Sequence, residues 1–562
     1  MEVSVMPENS EFLTKQDVST PLVDQPNEPD SGSVILSQAY RSAGPNRHNR
    51  LCVVISDIHL TDGSVGIQNL GKKAWDDFFS TIEDTCQNKH IQEVHLIFDG
   101  DFIDLIRSGE WADKNFYPWQ RKDDNELFND IVNRITQKIL KLHEYFFSLL
   151  KTFDSRMKDN CESVESTKTV IILGNHDKEI LLVNDALANF YEHALGRTAE
   201  SFTDSERRYI GRMYGDENMF LTDKSRVPYF PFYHADKDFR FFTTHGQWRD
   251  SENSVAVEGE GDKPGWCADD GWQPQIWSQL NYRPFIESCF GDTVAAGVLS
   301  TFIFKTKREL ASKNIVVYRL NRILDELDLY RPSYLAVQRI IEESKAMRKA
   351  KKDIEAVEII EKNLMLCVAT WLSWDFTHQS ASKKLQFPLK FARFTLKALK
   401  IFGKKIELSA ILWGMKGFAR LSHQRRSGVD LKKMRTFPGF QPPFSNNGFQ
   451  IHGEGHTHNP LEEEANLNSQ LSDATRVKFN TNFTYVNFGT WRDQIIARKD
   501  KGYRRRGVLR TFNILDLKAS DDASDQLGRQ FSYYTQDVAI WRDSLDRINK
   551  KETQEESVQL GA

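Results

Sequence analysis

No apolar run in this chain reaches the roughly 18–20 residues that a membrane-spanning helix needs. The stretches 294–304 and 364–374 fall short of that length and read as buried helix. Cysteine is scarce and scattered. None of Cys52, Cys86, Cys161, Cys267, Cys289 and Cys367 forms a C-x-x-C pair. That spacing argues against a disulfide framework and predicts a reducing compartment with no disulfide partner. An excess of either charge is nearly absent too: 75 Lys and Arg against 79 Asp and Glu leave a net charge of −4 over 562 residues. Overall charge therefore names no partner, and nucleic acid is the less expected one. The opening residues, 1–8, carry neither a basic nor an apolar segment, so no secretory signal is expected. Taken together, these absences predict a cytoplasmic protein. No internal repeat is evident.

What is present is ordinary globular composition, 40% hydrophobic and 27% charged, with ample chain for a core. Residues 1–45 are rich in Ser, Pro, Asp, Glu and Gln and predict a disordered tail. Residues 46–265 and 444–520 read as two parts of one discontinuous core. Residues 266–443 read as a mainly helical cap inserted between them, and 521–562 as a C-terminal helix and polar tail.

The core carries six short polar segments: Asp57-Ile58-His59, Gly100-Asp101-Phe102-Ile103-Asp104, Gly174-Asn175-His176-Asp177, Thr244-His245-Gly246, Gly455-His456-Thr457-His458 and Asn487-Phe488-Gly489-Thr490-Trp491. Most follow an apolar, β-prone run: 51–55, 94–98, 169–173, 239–243 and 449–452. Such runs read as buried strands. A ligand at the end of a buried strand is held rigidly, as a pair of divalent ions requires. Residues two apart on extended chain point the same way, so Asp57 with His59, and His456 with His458, can each grip from one side. Gly100 allows a sharp turn that lets Asp101 bridge two ions. In the third segment Asn175 can offer its amide oxygen to a metal while His176 faces the substrate.

In this order the motifs D-x-H, G-D-x-x-D, G-N-H-D, a lone His and G-H-x-H resemble the calcineurin-like metallophosphoesterase superfamily, over about 51–246 and 449–517. The resemblance implies an α/β (α+β) four-layer β-sandwich of two mixed sheets flanked by helices, here with a large helical insertion. It implies that Asp57, His59 and His458 hold one ion, that Asn175, His245 and His456 hold a second, and that Asp101 bridges them. His176 is then the general acid or hydrogen-bond donor to the leaving oxygen, with Asp104 and Asp177 as supporting carboxylates and Asp177 orienting His176. A donor set of carboxylate, amide and imidazole suits Mn, Fe, Zn or Co. Two such ions activate a shared water for in-line attack on phosphorus. The implied function is hydrolysis of phosphoric esters, with phosphodiesters or pyrophosphates favoured over monoesters. A nuclease of the same superfamily, or a scaffold that keeps the fold without catalysis, are the other readings. The motif around Gly100 also resembles the branch that cleaves UDP-diacylglucosamine, but His176 stands where that branch usually has Arg. The Arg-Gly signatures of the serine/threonine phosphatases are missing.

Specificity is expected in the insertion. Residues 315–329 and 334–366 show amphipathic spacing, and Ser333 is a candidate N-cap. From Lys383 to Arg435 there are fifteen Lys or Arg against two acidic residues, Glu407 and Asp430. A helical wheel puts Phe387, Phe391, Phe394, Leu399 and Phe402 on one face and Lys390, Arg393, Lys397, Lys400 and Lys404 opposite, with Pro388 in the first turn. One reading buries the Phe face in the core. Another lays the segment on an anionic membrane surface, beside a phosphoester small molecule or lipid-linked phosphate as substrate, and a third sets it against nucleic acid. Arg249, close after His245, is a candidate phosphate contact, and Trp248, Trp266 or Trp272 in the Gly-rich loop that follows can stack on a substrate. His95, His234 and His452 read as structural histidines, and Trp491 as a packing residue.

Overall fold

The structure is a computed structural model and describes residues 48–66, 70–214, 216–255, 286–331, 334–401, 448–458, 461–465, 483–497, 502–518 and 529–540. The expected tail at 1–45, Cys267, Trp266, Trp272, Ser333 and the basic segment beyond 401 lie outside the described residues.

The apolar runs form two five-stranded sheets. The first contains β1 (Arg50–Ile55), β2 (Glu93–Asp99), β3 (Ser166–Ile172), β11 (Val508–Lys518) and β12 (Arg529–Ile540), in the order β12-β11-β1-β2-β3. Its β1, β2 and β3 are parallel, while β11 runs antiparallel to β1 and β12. The second contains β4 (His234–Asp236), β5 (Phe241–Thr243), β6 (Ile451–Glu454), β7 (Leu461–Ala465) and β8 (Phe483–Asn487), in the order β4-β5-β6-β8-β7. There β5, β6 and β8 are parallel and the two edge strands antiparallel. Both sheets are mixed, and many helices accompany them. A small ribbon joins β9 (Gln494–Ala497) to β10 (Tyr503–Arg506).

Side-chain alternation builds the layers. Cys52, Val54, Ile97, Val170 and Ile172 of the first sheet pack with Phe241, Ile451, Val486 and Phe488 of the second. The alternate residues Leu51, Val53, Ile55, Leu96 and Phe98 pack with Trp75, Phe78 and Phe79 of α1 (Lys72–Lys89), and with Ile131 and Ile135 of α2 (Asn125–Leu142). Because β1 and β2 are covered on both sides, every residue of each is buried. The parallel strands all deliver their C-terminal ends to one edge, where the polar segments lie.

The insertion is helical, with its own core of Leu320, Ile323, Leu324, Ile340, Val357, Ile360 and Leu364. Three details differ from the sequence expectation. The single helix expected over 334–366 is two, α3 (Tyr334–Ala350) and α4 (Ile354–Ser373), because Lys351 and Asp353 adopt φ of 53° and 48°, which no α-helix continues. In α5 (Lys383–Ile401), Pro388 sits inside the helix, and the buried stripe is Leu385 and Leu389, packed with Phe290, Trp371 and Leu372. Phe387, Phe391 and Phe394 are 77, 63 and 70% exposed. Lys390, spaced three and four residues from Phe387 and Phe394, is exposed on their side rather than opposite them. Lastly, where a C-terminal helix was expected over 521–562, residues 529–540 are strand β12. It pairs with β11 from Lys518↔Arg529 to Val508↔Ile540, with one register shift, because β11 offers an open edge. Among the described residues no helix is long and apolar enough to cross a membrane.

Candidate metal centre

Sharp turns at the strand ends aim the candidate ligands. Asp57, His59, Asp101, His456 and His458 all take positive φ, between 48° and 63°. Non-glycine residues adopt this conformation rarely and at a cost, and such strain clusters where function demands it. Close approach does the rest. A Cβ on Gly455 would lie 2.4 Å from Asp57 Oδ2, and one on Gly174 2.2 Å from the Asp101 nitrogen, so only glycine lets these loops meet. The sixth segment braces them. Thr490 Oγ1 donates to the Asp57 carbonyl (2.8 Å), Asn487 Nδ2 to the Gly455 carbonyl (2.7 Å), and Trp491 stacks on Trp75 at 5.6 Å.

Two largely buried ligand groups that share one residue are among those that result. Asp57, His59, Asp101 and His458 form the first; Asp101, His245 and His456 form the second. In the first, His458 Nε2 lies 3.1 Å from Asp57 Oδ1 and 3.0 Å from His59 Nε2, and His59 Nε2 lies 3.6 Å from Asp101 Oδ2. In the second, His245 Nε2 lies 3.2 Å from the same Asp101 Oδ2, and Asn175 Oδ1 lies 2.9 Å from His456 Nδ1. Asp57 Oδ1 and His245 Nε2 are fully buried and, though respectively 3.1 Å from His458 Nε2 and 3.2 Å from Asp101 Oδ2, lack well-aligned hydrogen bonds among the described residues. Orphaned acceptor and imidazole atoms turned into a shared space fit a cation. These groups could hold metal ions.

The other nitrogen of His59, His245 and His456 is held, which fixes each of these rings. His59 Nδ1 faces Asp104 Oδ2 (3.1 Å), His245 Nδ1 donates to the Asp99 carbonyl (2.7 Å), and His456 Nε2 faces Asp250 Oδ2 (3.1 Å). Electrostatics differ between the two groups: burial opposes the charge of His245, but Asp101 and Asp57 outweigh it and raise the His245 pKa well above its usual value, whereas the first group favours neutral imidazoles. Burial, reinforced by Arg107, holds His59 well below its usual pKa, and burial with Arg331 and Arg107 does the same to His458. Both are therefore neutral donors. Burial works against ionisation of Asp101, but His245, His176 and His59 outweigh it and keep the carboxyl well below the carboxylate range.

His176 sits beside the first group, edge-on to His59 at 4.7 Å. Its Nδ1 is held by Asp104 Oδ1 at 3.0 Å, leaving Nε2 unengaged by any described residue. The carboxylate that orients His176 is thus Asp104, not Asp177 as expected. Asp177 instead accepts the backbone N–H groups of Gly174 (2.7 Å) and Phe102 (3.0 Å), tying two candidate-ligand loops together, and burial beside Asp101 pushes its pKa to about 7. Arg249 is half-buried, and Glu454 and the Tyr485 hydroxyl engage its guanidinium.

Other polar residues at the site carried no sequence signal. Asp250 comes from the turn after His245. Arg107, Asp328, Arg331 and Arg492 form a cationic cluster at the first group, with Asp328 and Arg331 supplied by the insertion. Asp328 Oδ2 accepts from Arg107 (3.2 Å) and Arg492 (2.7 Å), and Arg107 Nε also reaches Asp104 at 3.0 Å. The Arg331 backbone N–H donates to Ile495 of β9 (2.9 Å), which pins it there. Burial and the neighbouring Arg107 lower its pKa to about 9. A separate buried group comprises His95, His234 and Asp236, with His95 Nε2 2.8 Å from Glu93 Oε1. His452 is likewise buried against Glu454.

Compared with known proteins, the chain matches no family model, no curated protein and no solved structure.

Proposed function

We propose that this protein is a dinuclear-metal-dependent hydrolase of phosphoric esters, with the sandwich arrangement of the calcineurin-like metallophosphoesterases. The observation that carries this reading is that two largely buried ligand groups share the single carboxylate of Asp101. Asp57, His59 and His458 would hold one ion and Asn175, His245 and His456 the other. The oxygen and nitrogen donors suit Mn, Fe, Zn or Co. When bound, such a pair supplies an activated water and neutralises phosphoryl oxygens. The protein's own part is positional. Asp104 orients His176 through Nδ1 and would stabilise its doubly protonated form, in which Nε2–H donates to the leaving oxygen. Asp177 holds the 100–104 and 174–177 loops in register.

The test is metal analysis of purified protein, then hydrolysis of bis-aryl and mono-aryl phosphates after adding Mn. About two ions per chain and a preference for the bis-aryl ester are expected. Protein that takes up no divalent ion would leave the fold as a scaffold only.

One observation favours a lipid surface as partner. Phe387, Phe391 and Phe394 project from α5 with Lys383, Lys384 and Lys390 exposed around them. Inserting each ring into a bilayer gains about 1.5–3 kcal/mol, and each lysine near an anionic surface about 1 kcal/mol. We expect sedimentation with phosphatidylserine vesicles at low salt, lost when the three phenylalanines become serine. Wild-type protein that stays in the supernatant excludes this partner.

A further inference from the structure

We propose that Arg331, backed by Arg107 and Arg492, is an oxyanion subsite beside the metal centre that takes the non-reacting phosphoryl group of a pyrophosphate-linked substrate. This rests on the metal-hydrolase reading above and narrows its substrate class.

Three guanidinium groups crowd one side of the first ligand group. Two of them are matched: Arg107 pairs with Asp104 and Asp328, and Arg492 with Asp328. Arg331 is different. Its Nη1 donates to the carbonyls of Asp328 (2.7 Å) and Tyr330 (3.1 Å), and its Nη2 lies 3.3 Å from His458 Nδ1. Among the described residues no carboxylate lies within ion-pair distance of it. It is also only half-buried, whereas Arg107 and Arg492 are buried. A cation that is partly desolvated, has no carboxylate within ion-pair distance among the described residues and lies beside candidate metal ligands is suited to a substrate anion.

The contact with His458 strengthens the point. Nε2 of His458 is the atom turned toward Asp57 and His59. When His458 gives that nitrogen to an ion, its Nδ1 carries the proton. A donor then faces a donor across the 3.3 Å contact, and Nη2 must find another acceptor. The metal-loaded site therefore leaves Arg331 Nη2 as the donor to be matched, while Nη1 stays on its two carbonyls. A phosphodiester brings one anionic charge, which the ions neutralise. A pyrophosphate linkage brings a second anionic phosphoryl group, and Arg331 is placed to receive it.

The probes are imidodiphosphate, which resists hydrolysis, and inorganic phosphate, each titrated calorimetrically into full-length Mn-loaded protein. Arg331→Ala is expected to weaken imidodiphosphate binding about 10- to 100-fold, the usual loss for a charge-assisted contact. Binding of inorganic phosphate and the metal content should stay near wild type. Arg331→Lys, which keeps the charge on a flexible stem, should fall between. Equal loss for both probes would place Arg331 on the reacting phosphoryl group and overturn the subsite. So would unchanged imidodiphosphate binding, or a variant that no longer holds metal. In those cases wild-type hydrolysis of a bis-aryl phosphate still supports the hydrolase. Wild-type protein that binds no metal overturns both.

Discussion

Asp101→Asn is expected to reduce bound metal from about two ions per chain to fewer than one, and hydrolysis on the order of 10³-fold or more. The reason is that one oxygen serves both ligand groups. Asp101 Oδ2 is 3.6 Å from His59 Nε2 and 3.2 Å from His245 Nε2. Its other oxygen accepts the His176 backbone N–H at 2.8 Å. Asparagine can keep that backbone bond through its amide oxygen, so the loop geometry should survive while the bridging charge is lost. Asp57→Asn is the control. Asp57 belongs to one group only, so its loss should empty one position and spare the other. Metal per chain, measured by plasma emission beside the rate on a bis-aryl phosphate, separates the two. An Asp101→Asn protein that keeps two ions and a normal rate would mean that the groups do not act as one centre.

Much of this centre could be read in advance because its residues follow strands. A run such as Cys52-Val53-Val54-Ile55 has few options other than a covered strand, and the polar residue that ends it must emerge at the sheet edge. Parallel neighbours then bring Asp57, Asp101 and Asn175 to the same edge. What remained hidden depends on contacts between segments far apart in the chain. Asp328 is 221 residues from Arg107 and 164 from Arg492, and no spacing rule joins them. The choice between Asp104 and Asp177 as partner of His176 depends on turn geometry. Asp177 is adjacent to His176, yet its carboxylate turns back to the N–H groups of Gly174 and Phe102. In α5 the wheel separates faces without saying which is covered. Leu385 and Leu389 are spaced four apart as are Phe387 and Phe391, and the position of Trp371 and Leu372 decides between them. The C-terminal strand was missed for a related reason: β12 exists because β11 leaves an edge to be paired.

That same swap of carboxylates sets the sharpest test of mechanism. His176→Ala is expected to keep its metal and to lose about 10²–10⁴-fold in turnover on an alkyl phosphoester. An alkoxide leaving group needs the proton that His176 Nε2 supplies. A nitrophenolate leaves without it, so the same variant should lose far less on a nitrophenyl ester. Asp104→Asn should behave differently. Burial opposes its charge, but Arg107, His176 and His59 hold the Asp104 carboxyl well below the usual range, so it is a firm anion. It grips His176 Nδ1 with one oxygen and His59 Nδ1 with the other. Its loss should therefore weaken metal affinity about 10- to 100-fold through His59 while also impairing the donor. Asp177→Asn touches neither ring, and its leaving-group dependence should match that of wild type. If His176→Ala cleaves an alkyl ester at the wild-type rate, the proton comes from elsewhere, and the Asp104–His176 pair only supports the loop.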